Sequence, residues 1–219
     1  MYPFIERTLV MERPRREENL NVLTHAVGTL LSVIATVLML ARVDRLNDGL
    51  LWFVCVLYGI TLIGVYFNST MSHVATTPVW RQRFRQLDQA FIYLLIVATF
   101  TPFATVYLKT TFWLVLTSAM WLVAISGFVS KLWAAHRVDS VSVLGYVGLG
   151  WMPLLGGTSL FSGVPLAAVG GIILGGVLYT LGTLFLMNDK KVWYFHGIWH
   201  LFVIAGSTVH WWTTMQYVV

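Results

Sequence analysis

The chain has 219 residues, of which 58% are hydrophobic and only 11% charged. A soluble domain carries about 25% charged residues, so the charges here are too few to coat a water-facing surface, and a mean hydropathy of +0.75 makes lipid the natural solvent. The net charge of +5 does not point to nucleic acid, because of where the charges fall. Cys55, the only cysteine, leaves no intrachain disulfide and no thiolate metal site.

The first residues are strongly polar, with Arg7, Arg13, Arg15 and Arg16 among Glu6, Glu12, Glu17 and Glu18. No short apolar core with a small-residue cleavage site follows, so no secretory signal is expected. Residues 1–21 read as a cytoplasmic N-terminal arm, and residues 22–219 as one membrane domain. A spanning helix needs about 20 apolar residues. Runs of that kind fall at 22–41, 50–71, 88–108, 112–131, 140–159, 165–187 and 195–216, joined by short polar links. None alternates as a membrane β-strand does.

Pro102 and Pro153 fall inside spans and are expected to kink them. The fifth and sixth runs are rich in glycine, and Gly171 with Gly175 forms a small-residue pair suited to close helix packing. With the N-terminus inside, Arg7, Arg13, Arg15, Arg16, Arg81, Arg83, Arg85, Lys131, Arg137, Lys190 and Lys191 are cytoplasmic, and only Arg42, Arg45 and Lys109 lie outside. Cytoplasmic loops carry the excess of Lys and Arg. The expected fold is therefore all-α: a polytopic membrane protein, a seven-transmembrane helix bundle, N-terminus cytoplasmic and C-terminus outside, in the cell's inner (plasma) membrane. No internal repeat is visible, which removes the main sequence pointer to an inverted-repeat transporter.

Ionisable groups within membrane spans default to a functional reading. His73 ends the second span, Asp88 begins the third, and His196 and His200 begin the seventh, all at the cytoplasmic edge. His25, with Glu18 and Asn21 before it, begins the first span at the same edge. A lone histidine at a helix end is ordinarily a hydrogen-bonded packing residue. His196 and His200, four apart, stack on one helical face and make a bidentate grip for a metal. His73 adds a third nitrogen, and three imidazoles with an open position suit a catalytic Zn²⁺, with Asp88 to orient water or take its proton. No carboxylate sits between the two histidines as in the soluble metalloproteases. Ser69, one turn before His73, is read either as a partner of a neighbouring helix, a ligand or a substrate carbonyl, or as back-bonding its own helix. Tyr93 is expected to line the cavity, His136 to be solvated in a loop, and His210 to bond between helices.

These residues carry a resemblance to the haemolysin III branch of the progestin and adipoQ receptor family, covering nearly the whole chain. Glu18-x-x-Asn21-x-x-x-His25 resembles its first motif, Ser69-Thr-Met-Ser-His73 its Ser-x-x-x-His element, Leu87-Asp88 through Tyr93 to Pro102 its third-helix stretch, and His196-Gly-Ile-Trp-His200 its closing motif. Met71-Ser72 stands where the family more often has a bulky residue and an aromatic. The resemblance implies a seven-helix bundle with an intramembrane zinc on His73, His196 and His200, and with Asp88 holding the zinc-bound water. Relatives such as the adiponectin receptors and the alkaline ceramidases imply hydrolysis of a lipid amide or ester, with a membrane lipid or fatty-acyl chain as substrate. Two other functions fit the same residues: a lipid sensor in which zinc is structural, and a pore. The pore needs a polar path through the bilayer, whereas most ionisable groups sit at one edge.

Overall fold

The computed structural model describes residues 15–133 and 142–219, and among them every regular element is a helix. The N-terminal residues 1–14 and His136, for which a loop is expected, lie outside the described residues. The helices are α1 (Arg15–Val43), α2 (Gly49–Val74), α3 (Pro78–Tyr107), α4 (Thr111–Trp133), α5 (Val143–Trp151), α6 (Thr158–Gly163), α7 (Leu166–Leu186) and α8 (Phe195–Tyr217).

Helix boundaries follow local chemistry. Asp48 caps α2, its side chain accepting from the Leu51 amide at 2.9 Å, which satisfies one of the amides a helix start leaves open. Pro78 opens α3, where its missing N–H is not needed. Pro102 sits within α3 without ending it. The fifth run behaves differently. It breaks into α5, a 3₁₀ turn over Met152–Gly156 that contains Pro153, and α6. Gly157 has φ of 52°, a left-handed conformation that glycine adopts at little cost, so the chain turns here where a single kinked helix is expected.

The bundle has an apolar core, but it buries polar side chains among the apolar ones and turns a broad apolar surface outward. The inward stripe of α1 is Glu17, Asn21, His25, Gly28 and Ser32, while Leu23, Leu30 and Val37 on the same helix are exposed. α4 shows Leu114, Val115 and Leu122 to the outside, yet Lys131 is 2% exposed and donates to the Gln89 Oε1 at 2.9 Å. Only a hydrocarbon solvent stabilises that arrangement. Among the described residues, five helical segments are long and apolar enough to cross a membrane: Arg15–Leu46, Gly49–Val74, Pro78–Tyr107, Thr111–Trp133 and Leu166–Leu186. The protein is a multi-pass integral membrane protein. α8 is 23 residues long but less apolar, because His, Ser and Thr interrupt it.

α1 packs on α2 and α8, α2 on α3, α3 on α4 and α5, and α7 on α8. Small residues set the close approaches. A Cβ on Gly28 of α1 would lie 2.5 Å from the ring of Tyr66 in α2. The Gly171/Gly175 pair admits Thr213 and His210 of α8 in the same way. Gly182 and Gly206 extend that seam against Trp199 and Tyr179. One end of α1, α2, α3 and α8 thereby converges, and the residues singled out in the sequence lie there.

Candidate metal centre

Three imidazoles meet at this end. Each of His73, His196 and His200 offers one ring nitrogen, and the three atoms lie within 4.8 Å of one another. The ring centroids are 4.5 Å apart for His196 and His200, 5.3 Å for His73 and His196, and 5.5 Å for His73 and His200. The first pair is held by the helical repeat, four residues apart on α8. His73 arrives from the last turn of α2, brought in by the contacts of α1 with both α2 and α8. Tyr194, with φ of 65°, precedes the first turn of α8 and sets the direction in which that helix starts.

Each ring is also gripped from behind. His73 Nδ1 meets Glu18 Oε1 at 3.2 Å, His196 Nδ1 meets Asp189 Oδ2 at 2.7 Å, and His200 Nδ1 meets Thr24 Oγ1 at 3.0 Å. Metal-ligating histidines characteristically bond one nitrogen to such a partner, which fixes the tautomer and turns the other nitrogen toward the ion. Two of these partners, Glu18 and Asp189, are carboxylates. A zinc ion takes nitrogen ligands at about 2.0–2.1 Å, and a small inward turn of the rings brings three atoms so spaced onto one ion. The donor set fits a metal that accepts imidazole, among them zinc, copper, iron and nickel.

Glu18 belongs to the first sequence motif, whereas Thr24 and Asp189 belong to no recognisable motif, and the one signal for them in the sequence is the general need of a ligating histidine for a second partner. Replacing Asp189 with alanine is expected to weaken metal binding by about 10–100-fold, measured by competition with a chelator of known affinity. An unchanged affinity would mean that the Asp189 contact does not orient His196.

Beside the triad stand two more side chains of α1. His25, 3% exposed, sets its ring perpendicular to that of His200, with centroids 3.7 Å apart. Neither His25 nor Asn21, both buried, has a side-chain hydrogen bond among the described residues. Ser69 is buried one turn before His73, and its hydroxyl donates to the carboxyl of Asp88, half-buried in α3. Ser69 thus reaches across to a neighbouring helix. Tyr93 is not among the residues lining the adjacent cavity. It packs on Gly127 and, at a ring distance of 4.6 Å, on Tyr146.

The triad opens on a cavity of about 1240 Å³. Asp88, Ser69 and His25 line it with the three histidines, and it continues between the helices past Phe100, Met120 and Leu160 as far as His210. The volume exceeds the ~300–1,000 Å³ of an ordinary small-molecule pocket, and the walls between the triad and His210 are mainly apolar.

Fold and site together define a class: a multi-pass helical membrane protein with a histidine triad, close enough to hold a metal, at one end of an internal cavity. The chain belongs to the haemolysin III family, whose profile, described as haemolysin-III related, matches residues 14–211. It is 32% identical over 206 residues to a protein named hemolysin-3 homolog of Bacillus subtilis (strain 168), covering 93% of this chain and 95% of that one. It is 29% identical over 204 residues to hemolysin-3 of Bacillus cereus, covering 93% of each. The human monocyte to macrophage differentiation factor is 26% identical over 208 residues, 92% of this chain and 84% of that one. No solved structure matches.

Proposed function

We propose that the protein is a zinc-dependent hydrolase of a lipid amide or ester, embedded in the plasma membrane. The observation that carries this reading is the placement of a carboxylate, Asp88, held by Ser69, on the wall of the same cavity as the triad. His73, His196 and His200 would hold the ion. When bound, zinc polarises a carbonyl and makes water a nucleophile near neutral pH. Asp88 accepts the proton of the attacking water and returns it to the leaving group. Ser69 fixes the carboxylate in place. The apolar cavity holds the acyl chain and excludes competing water. Arg15, Arg81, Arg85 and Lys190 line the cavity at the triad's end and draw the released carboxylate outward. A purely structural zinc prefers four protein ligands, and the described cluster supplies three, which favours a catalytic ion.

The seven-span topology belongs to the same proposal. The five long apolar segments, the broken segment from Val143 to Gly163 and α8 together make seven crossings. The charge distribution then puts the N-terminus and the triad on the cytoplasmic side. Purified protein in detergent is expected to release fatty acid from acyl amides or esters and to stop when a strong chelator is added. Chelator-insensitive release would remove zinc from the reaction. Failure to release acid from any member of a panel of ceramides, glycerolipids and simple acyl amides would remove the reaction itself.

A further inference from the structure

The metal site does not use the deepest ionisable group in the bundle. His210 lies on α8, ten residues after His200, so about 15 Å further along the helix. It faces inward on the stripe that carries His200, Val203 and Ser207, and it is 7% exposed. Its ring lies along Tyr179 of α7, with centroids 5.4 Å apart and an interplanar angle of 26°. A Cβ on Gly175 would stand 2.5 Å from His210 Nε2, so only glycine there leaves the imidazole its place. Among the described residues no hydrogen bond reaches either ring nitrogen, while both His210 and Tyr179 line the cavity. An imidazole in the apolar middle of a membrane bundle calls for a partner.

One arrangement of the neighbouring hydroxyls offers one more proton. The Tyr66 hydroxyl lies 2.8 Å from Ser207 Oγ and 3.2 Å from the Val203 carbonyl, and Tyr179 Oη lies 2.8 Å from the same Ser207 oxygen. Ser207 has one proton. Given to Tyr179, it leaves the Tyr179 hydroxyl proton for the cavity. A donor from Tyr179 and an acceptor nitrogen on His210 then stand side by side, the pair that a single alcohol oxygen satisfies, since a hydroxyl both accepts and donates.

We propose that His210 and Tyr179 form a second polar subsite at the far end of the cavity, which takes a hydroxyl carried part-way along an acyl chain whose carboxyl end faces the histidine triad. The inference rests on the cavity being an acyl site. It narrows the substrate class to hydroxylated acyl lipids, with the hydroxyl about 15 Å from the metal-facing group, the spacing that the helical rise sets between His200 and His210.

Ricinoleic and oleic acids share chain length and double bond and differ by one mid-chain hydroxyl, so they are the probes. Each is titrated against a fluorescent fatty acid bound to the full-length protein in detergent. The expected result is that ricinoleate displaces the probe at about tenfold lower concentration than oleate, the value of one net hydrogen bond. The preference should fall to parity in His210→Phe and shrink in Tyr179→Phe. Equal displacement by the two acids in the native protein overturns the proposal, as does a preference that survives both substitutions; either result leaves water as the only occupant of the subsite. Should His210→Phe fail to fold, Tyr179→Phe, which keeps the ring and its packing, decides the matter alone. Free acids need no cleavage to bind. A protein that prefers ricinoleate yet cleaves no lipid keeps this subsite and loses the hydrolase reading; one that cleaves lipids but binds both acids equally loses only the subsite.

Discussion

Replacing His196 and His200 together with alanine is expected to leave the purified protein without bound metal, where the native chain is expected to carry about one zinc ion. The two residues are neighbours on one face of α8, and their removal leaves His73 as the only imidazole of the triad. One imidazole does not hold zinc against a detergent buffer. The effect on the fold should be small by comparison. α8 stays docked through contacts far from the triad: Tyr66 on Ser207 at 2.8 Å, the Trp211 indole donating to the Ala35 carbonyl at 2.9 Å, and the glycine seam of α7 against Thr213 and His210. Elemental analysis and far-ultraviolet circular dichroism of the double variant therefore separate two readings. Metal lost with helicity retained fits a catalytic ion. Metal lost together with the fold makes the ion a clamp between α2 and α8, as the sensor reading requires. Metal content unchanged from native would remove the triad from consideration altogether.

The parts of this site that were legible in the sequence are those that depend on a helix's own repeat. His196 and His200 are four residues apart, and that spacing alone puts their rings on one face. Ser69 and His73 share a face for the same reason. The convergence of α2 with α8 was legible only indirectly, through equal depth: the polar residues of four spans fall at one edge once the basic loops are placed on one side. Where the structure departs from the sequence pattern, the cause is tertiary. Tyr93 follows Asp88 by five residues, which on a helix at 3.6 per turn rotates it about 140° away, and Gly127 and Gly145 make room for its ring on the α4 and α5 side. The first helix is already formed at Arg15, ahead of the apolar run, and there it turns Glu17 and Asn21 to the interior and not to the lipid. The break at Pro153 needed more than the proline. Trp113 of α4 lies so close that a Cβ on Gly156 would stand 2.2 Å from its ring, and no local pattern announces that contact. His210 reads from the sequence as an interfacial or inter-helix hydrogen bonder; in the structure its ring stacks on Tyr179 of α7.

Replacing Asp88 with asparagine is expected to lower lipid hydrolysis by about 10²–10⁴-fold with metal content unchanged. Asparagine has nearly the same shape, and its amide oxygen still accepts from Ser69, so the wall of the cavity keeps its form. What the variant lacks is an oxygen that takes up a proton during the reaction and gives it back. The comparison that decides is with Ser69→Ala, which removes the hydroxyl that donates to Asp88 but leaves the carboxylate in the cavity. If Asp88 is the base and Ser69 its positioning residue, the serine variant loses less turnover than the asparagine variant, because a misplaced base still accepts protons part of the time. If Asp88 merely braces α3 against α2, Asp88→Asn, which keeps the Ser69 contact, should retain near-native turnover, while Ser69→Ala, which breaks it, should lose turnover together with thermal stability. Native-like hydrolysis of every lipid by Asp88→Asn would take the carboxylate out of the chemistry, and the proton would have to leave by another polar group beside the triad, such as the ring of His25, its centroid 3.7 Å from that of His200.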